Sequence, residues 1–203
     1  MRLFLATLFA VAILAAATGC GSSGGAPTAR ATRATTSQAT STTRPSAPTQ
    51  TFVSKAYRFR AVLSKNWSES DATLRWNGSE LLGISSPTFA RFTDPTSGRT
   101  LLVAAARVTK GMKLSDWRTA MVHAAPAACD ESPSVRQTTL GGEPALAWTA
   151  KCSDGYHVNK LAALHGGHGY VVLLPSPTAA GTDDAENLRV FESMRRSFRF
   201  TRW

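Results

Sequence analysis

Residues 161–174 read LAALHGGHGYVVLL, two apolar runs joined by a pair of glycines. Two adjacent residues that accept positive φ are a strong signal for a two-residue β-hairpin turn. The second run is apolar at every position from Tyr170 to Leu174, which is typical of a strand covered on both faces. The sequence therefore predicts an antiparallel hairpin, Leu161–His165 with His168–Leu174, inside a β-sheet.

Other segments extend this predicted sheet. Leu101–Val108 is apolar on both faces as far as Arg107, which predicts a second central strand. Ala145–Cys152 and Val158–His165 predict further strands, and Tyr57–Leu63 alternates apolar with basic residues, the pattern of a half-buried strand. Because the connections are short, we expect an antiparallel meander.

Two amphipathic segments predict helices, the first from Asp116 to about Ala125 with Ser115 as its cap, and the second beginning after a Thr182 cap. The charges placed favourably for the dipole of the second helix are Asp183, Asp184, Glu186, Arg195 and Arg196. The predicted apolar faces consist of Trp117, Met121 and Ala125 in the first helix and Leu188, Phe191, Met194 and Phe198 in the second. A sheet apolar on both faces accommodates both helices, so we expect an α+β domain with an antiparallel sheet flanked by helices.

The N-terminus carries a targeting signal. Met1-Arg2 precedes an uncharged run, Leu3–Ala17, which is too short to span a membrane but has the length of a secretory signal core. The sequence Ala17-Thr18-Gly19-Cys20, followed by a Gly/Ser spacer, resembles the lipobox of bacterial lipoproteins, with Ala17 in place of the usual leucine. The resemblance implies that residues 1–19 are removed and that Cys20 is lipidated. The alternative is an ordinary secretory signal followed by an unmodified cysteine.

Residues 20–50 are predicted to be a disordered tether. From Gly21 to Gln50 the chain has no Leu, Ile, Val, Phe, Trp or Tyr, so it has nothing to bury. A flexible chain of this length reaches roughly 30 Å. Its Ser, Thr and Pro content leaves open an O-glycosylated stalk. Residues 51–203 are then predicted to form one globular domain.

The net charge of +10 does not by itself indicate nucleic-acid binding. Four basic residues precede the predicted domain, which carries 19 Lys/Arg against 13 Asp/Glu. An exported protein does not meet cytoplasmic nucleic acid, so we predict no nucleic-acid partner. The remaining positive charge points to anionic headgroups or cell-wall polymers, or is simply solvated surface.

Cys129 and Cys152 are the thiols left once Cys20 is lipidated. In an oxidising compartment, two cysteines in one domain predict a disulfide. Closing this loop would stabilise the fold by about 3 kcal/mol in the chain-entropy model. A reactive pair is the alternative, although there is no CxxC motif.

The order of the elements resembles a known fold. The stretches that carry the resemblance are Leu63-Ser64-Lys65-Asn66-Trp67, Ser115-Asp116-Trp117, Thr139-Leu140-Gly141-Gly142-Glu143-Pro144-Ala145, Gly169-Tyr170 and Ser197-Phe198-Arg199-Phe200. Together they resemble the PsbP-like α/β/α sandwich, in particular the LpqN-type lipoproteins of high-GC Gram-positive bacteria, over residues 52–203. The resemblance implies an antiparallel sheet of about nine strands between helices, no shared catalytic residues, and a binding or assembly role.

Candidate catalytic and metal-binding residues are few. His165 and His168 face each other across the predicted hairpin and offer two metal ligands, whereas zinc needs three or four. His157 lies eight residues away along the same strand, too far to complete such a site. We therefore interpret the pair as surface histidines and predict no metal site. There is no GxSxG, Walker or dinucleotide-binding glycine motif, so no catalytic residue and no cofactor is predicted.

Four of the five tryptophans divide into two pairs. Trp117 and Trp148 occupy predicted core positions. Trp76 and Trp203 lie in polar neighbourhoods beside arginines, where tryptophan often contacts a partner. Both are candidate partner contacts, and burial at the edge of the domain is the alternative.

These features predict a lipoprotein anchored through Cys20 at the extracytoplasmic face of the cell membrane. Its domain is expected to be a non-catalytic binding or accessory module for a protein partner or a cell-envelope component, which includes glycans and lipids. The alternative is a carrier that holds a small apolar or lipid ligand between sheet and helices. The third hypothesis, an unrecognised hydrolase, requires a His beside a buried carboxylate in a cleft.

Overall fold

The computed structural model describes residues 48–79, 86–125, 129–153, 155–176 and 184–202. Its strands are β1 (Thr49–Ser54), β2 (Phe59–Ser64), β3 (Ser68–Ser70), β4 (Ala90–Thr93), β5 (Thr100–Arg107), β6 (Cys129–Glu131), β7 (Arg136–Leu140), β8 (Glu143–Cys152), β9 (His157–His165), β10 (His168–Pro175) and β11 (Arg199–Phe200). Its helices are α1 (Leu114–His123) and α2 (Asp184–Ser197). Neither helix in these ranges has the length and apolar character needed to cross a membrane.

The larger sheet has the strand order β3-β4-β5-β10-β9-β8-β6, and β7 also pairs with β8. Every pairing within it is antiparallel. At its centre β10 pairs with both β5 and β9, and His165 lies opposite His168 across a turn whose glycines have φ of 56° and 76°. The predicted central hairpin and the antiparallel sheet are therefore confirmed.

A second, three-stranded sheet has the order β1-β2-β11. The single sheet expected from the resemblance is thus divided into two in the part of the chain that the structure describes. β1 begins at Thr49, two residues before the predicted domain boundary. It was missed because Thr49, Gln50 and Thr51 have the composition of the tether, and only Phe52 and Ser54 of this strand are buried.

The larger sheet is covered on both faces, as neighbouring residues of β10 show. Gly169 faces α1, where Trp117 lies over it and donates from its indole nitrogen to the Tyr170 carbonyl oxygen at 2.9 Å. The Tyr170 ring points the other way, with its centroid 4.7 Å from that of Phe200 and 6.4 Å from that of Phe198. The layers are therefore α1, the larger sheet, and a third layer that contains both α2 and the small sheet.

Helix α1 begins two residues before the predicted start. Lys113 occupies the N-cap with extended backbone, and its side chain makes no capping hydrogen bond. The first helical bond runs from the Trp117 amide to the Lys113 carbonyl, so Ser115 lies inside the helix and the predicted Ser115 cap is wrong. Trp117 and Met121 are buried, as predicted.

Of the apolar face predicted for the second helix, Phe191, Met194 and Phe198 are buried, as expected. Leu188 is 48% exposed, so its predicted burial is wrong. The buried face follows the spacing 187, 191, 194 and 198, so Asn187 takes the position expected for Leu188. The side-chain oxygen of Asn187 accepts a 2.8 Å hydrogen bond from Arg99 Nε, whereas its buried Nδ2 has no hydrogen-bond partner among the described residues. Thr182 and Asp183 lie outside the described residues.

A disulfide joins Cys129 to Cys152. The two residues are direct cross-strand neighbours in β6 and β8. The predicted pairing is confirmed, and it fastens the segment that follows α1 to the margin of the larger sheet.

Candidate binding groove at the end of the central hairpin

The structure describes only some of the predicted site residues. Cys20 and Trp203 lie outside the described residues. Trp76 is 5% exposed, packs 5.9 Å from Trp117 between ring centroids, and donates from its amide to the Tyr57 hydroxyl at 3.0 Å. The prediction that Trp76 is an exposed partner contact is therefore wrong, and the alternative, burial, is correct. The exposed apolar residue of this segment is Leu74, at 59%.

A groove of about 610 Å³ lies at the turn end of the β9–β10 hairpin. One wall is the turn itself, His165–His168, and the facing wall is the segment Arg107–Met112 that leads from β5 towards α1. The Val108 amide donates to the Gly167 carbonyl at 3.0 Å, which fixes the two walls relative to each other. Glu143, the first residue of β8, lies at the groove as well.

Two glycines form the turn that immediately precedes Glu143. The turn between β7 and β8 consists of Gly141 and Gly142, both with positive φ. A Cβ added at Gly141 would lie 2.7 Å from Cδ2 of Phe200, so β11 and this turn pack together only when residue 141 is glycine. The close packing places Phe200 beneath the imidazole of His165.

His165 is held in place by two contacts. Its Nδ1 lies 2.9 Å from Glu143 Oε1, and its ring stacks on Phe200 with centroids 4.2 Å apart and an angle of 5°. The imidazole is 31% exposed and the carboxylate 41%, so both remain accessible from the groove. A carboxylate that accepts from one ring nitrogen orients the histidine and leaves the other nitrogen for a further contact.

His168 is engaged elsewhere. Its Nδ1 lies 2.9 Å from the Gly166 carbonyl oxygen. The two histidines are cross-strand partners, as predicted, but each ring has its own protein contact. Among the described residues no group of three or more His, Cys, Asp or Glu side chains is arranged to hold a metal ion.

The groove is suited to binding an anion. Arg107 and Lys110 are exposed on one wall, and the two histidines lie opposite. Glu143 is the one carboxylate among the described lining residues, and it is already paired with His165. Arginine and lysine here offer N–H donors to a carboxylate or phosphate. Of the described lining residues, only Thr109 carries a hydroxyl and none carries a thiol.

Sequence reasoning located this groove only in part. The histidines and the double-glycine turn were recognised, whereas Arg107 was treated as the end of an apolar strand and Glu143 only as one residue of a stretch that carries the fold resemblance. No local pattern links residues 107–112 to residues 143 and 165, because they are brought together by the pairings of β5 with β10, β10 with β9 and β9 with β8.

A second, smaller cleft of about 320 Å³ is lined by residues of β8 and β9 in the larger sheet, of the β6–β7 connection and of α2. Two exposed apolar residues line it, Val135 at 39% and Leu188 at 48%. Leu188 was predicted to be a core residue, so this exposed apolar contact was not foreseen.

A buried ion pair under α1 was also not predicted. Lys160 donates to Glu131 Oε1, and their side chains are 4% and 9% exposed. The Trp148 indole donates to the other carboxylate oxygen at 2.6 Å, and the Arg118 guanidinium lies 5.5 Å from the Trp148 ring centroid. These contacts join β6, β8, β9 and α1, so the cluster has a structural role.

Comparisons with known proteins reveal the fold. No protein-family model matches the chain, and no curated protein matches it in sequence. Among solved structures, the cyanobacterial PsbP (CyanoP) of Synechocystis sp. PCC 6803 is similar, with a TM-score of 0.53 and 13% identity over 76% of this chain and 93% of that protein. A protein from Bacteroides thetaiotaomicron VPI-5482 gives a TM-score of 0.48 at 10% identity, over 75% of this chain and 48% of the other.

The similarity to CyanoP shows that the described domain has a PsbP-like fold. At 13% identity the similarity concerns the fold alone. The protein therefore contains a domain with a PsbP-like fold and a basic groove at the end of its central hairpin.

Proposed function

We propose that this protein is an LpqN-type lipoprotein, anchored through Cys20 at the extracytoplasmic face of the cell membrane. Its PsbP-like domain acts as a non-catalytic binding module for a protein partner or a cell-envelope component. The Cys129–Cys152 disulfide supports an extracytoplasmic location, because such bonds persist in oxidising compartments.

The observation that carries the binding role is the basic groove at the hairpin end. It presents Arg107, Lys110 and the two histidines around a concave surface whose one described carboxylate is already paired. We infer that it receives a carboxylate or phosphate group of the bound component. A carrier of apolar ligands would instead need an apolar cavity between sheet and helices. The smaller cleft is lined by residues of β8, β9 and α2, but its volume is about 320 Å³, at the lower end for ligand pockets, and its lining includes the charged residues Arg136 and Lys160.

The anchor is tested by Cys20→Ala. We expect intact mass spectrometry of the wild-type chain to show diacylglycerol on Cys20 as the first residue, and the variant to lose both lipid and processing. Retention of a fully processed N-terminus on the membrane in Cys20→Ala would exclude lipid anchoring.

The groove is tested by photo-cross-linking in intact cells. A photoreactive amino acid is placed at Thr109 in the groove or, as control, at Thr119, which is exposed on α1. We expect a defined adduct only from position 109, reduced several-fold by Arg107→Gln/Lys110→Gln. Equal adducts from both positions, or an adduct that the double variant leaves unchanged, would contradict a binding role for the groove.

A further inference from the structure

The outward face of the small sheet carries a row of aligned side chains. Val53 of β1 lies opposite Arg60 of β2, and Arg60 lies opposite Arg199 of β11. All three are exposed, Val53 at 52%. We propose that this surface, here called the arginine face, docks onto the anionic phospholipid surface of the membrane.

Charge is the first argument for this occupant. Like charges directly opposite each other in a sheet destabilise it unless an anion lies nearby. Arg60 forms no ion pair within the described ranges, and the Arg199 guanidinium donates only to the carbonyl oxygens of Arg196 and Phe198. Further exposed cations adjoin the row in the β1–β2 turn and on either side of β11: Lys55, Arg58, Arg196 and Arg202.

Asp71 does not neutralise this face. One of its carboxylate oxygens accepts from the Ser54 hydroxyl at 2.6 Å, and the other accepts from the amides of Lys55 and Ala56. These bonds fix the turn between β1 and β2, so Asp71 holds in place the loop that carries Lys55 and Arg58.

The position of the face along the chain is the second argument. β1 is the first strand after the predicted tether, and its outward residues Thr49, Thr51 and Val53 belong to the same face. This step rests on the proposed anchor at Cys20, which would keep the face within the short reach of the tether from the membrane. A sheet face that presents arginine N–H donors suits a surface of phosphate headgroups, and the exposed Val53 can enter the interface.

The test uses the full chain reconstituted with vesicles. An environment-sensitive fluorescent amino acid is placed at Thr51 on the arginine face or, as control, at Thr119 on α1. Vesicles contain phosphatidylglycerol or only phosphatidylcholine. We expect a blue shift from position 51 alone and on phosphatidylglycerol alone, reversed in about 1 M salt, where the screening length falls to about 3 Å.

Two double variants that remove the same charge distinguish the contribution of the arginine face from that of the total charge of the protein. Arg60→Gln/Arg199→Gln should lower the ratio of docked to undocked domain on phosphatidylglycerol, read from the size of the shift, at least tenfold, since each arginine near such a surface contributes about fivefold. Lys113→Gln/Lys151→Gln removes the same charge from exposed positions elsewhere and should retain the shift. No shift on phosphatidylglycerol, or equal loss in both double variants, overturns the proposal. Flotation with phosphatidylcholine vesicles reports the anchor separately, so a failed anchor and a failed docking face give different results.

Discussion

The hydroxyl of Tyr170 donates a 2.8 Å hydrogen bond to the main-chain carbonyl of Tyr57, 113 residues away. Both tyrosines are buried, at 0% and 1% exposure. The Tyr57 hydroxyl in turn donates to the Thr88 carbonyl and accepts from the Trp76 amide. Burial raises the pKa of the Tyr57 phenol, so the group stays protonated and remains a donor at neutral pH. These bonds connect the central strand of the larger sheet with the turn of the small sheet.

Tyr170→Phe should destabilise the domain by about 1–3 kcal/mol, because the Tyr57 carbonyl would lose its partner inside the protein. Urea unfolding followed by tryptophan fluorescence measures the change. Tyr156→Phe is the control, because Tyr156 is 38% exposed and we expect the loss of its hydroxyl to cost less. Equal effects of the two substitutions would show that the Tyr170–Tyr57 bond contributes no specific stability.

Gly169→Ala should destabilise the domain by about 2 kcal/mol or more, because the new methyl group would lie 2.3 Å from Cε2 of Trp117. Gly142→Ala is the control, because it introduces backbone strain without a steric clash. Gly142 has a φ of 96° but no atom within 4 Å of an added Cβ, so we expect only the cost of the conformation, about 1–2 kcal/mol. Thermal melts of both variants check the order, and a smaller loss in Gly169→Ala would contradict the packing of Trp117 against this glycine.

The central hairpin was predictable from sequence because its signal is local. The double glycine and the uninterrupted apolar run from Tyr170 to Leu174 leave few alternatives. The disulfide was predictable because the sequence predicts export, and two cysteines in one domain of an exported protein favour a disulfide between Cys129 and Cys152.

The remaining features depend on contacts between distant segments. Asn187 is buried because Arg99 from the β4–β5 region donates to it, and no helical periodicity indicates that a polar residue takes the place of Leu188. Trp76 has polar neighbours in sequence but packs on Trp117. The groove joins residues from β8, the β9–β10 turn and the segment after β5, so its composition follows from strand order, which sequence patterns specify only weakly.

The ion pairs of Glu192 make the stability of the folded domain depend on pH. Burial by itself would raise the pKa of this carboxyl, but hydrogen bonds from Arg195 and Arg136, at 2.6 and 2.9 Å, outweigh it and lower the pKa below its ordinary value of 4.5. A lowered pKa means that the folded state binds this proton less readily than the unfolded state. The stabilisation is therefore present above pH 4.5 and is lost as the pH falls through the lower folded-state pKa.

Glu192→Gln should cost about 0.5–1 kcal/mol at neutral pH, and the difference from wild type should shrink towards zero in acid below the folded-state pKa. Urea unfolding across this range measures it. Glu69→Gln, on the exposed strand β3, should change stability little at neutral pH. A Glu192→Gln penalty that does not diminish in acid would show that the carboxylate charge is not its source.

The buried ion pair between Lys160 and Glu131 allows a direct test of what stabilises this part of the larger sheet. Glu131→Gln leaves the Lys160 ammonium buried without its counter-charge, and breaking such a pair costs about 3–5 kcal/mol. Glu131→Leu/Lys160→Met removes both charges and replaces them with apolar groups of similar size, so we expect most of this loss to be recovered. Chemical denaturation of the wild type and both variants, with the Cys129–Cys152 disulfide intact, provides the comparison. If the double variant is no more stable than Glu131→Gln, the Trp148–Glu131 hydrogen bond, which both variants alter, is the dominant contribution instead of the ion pair.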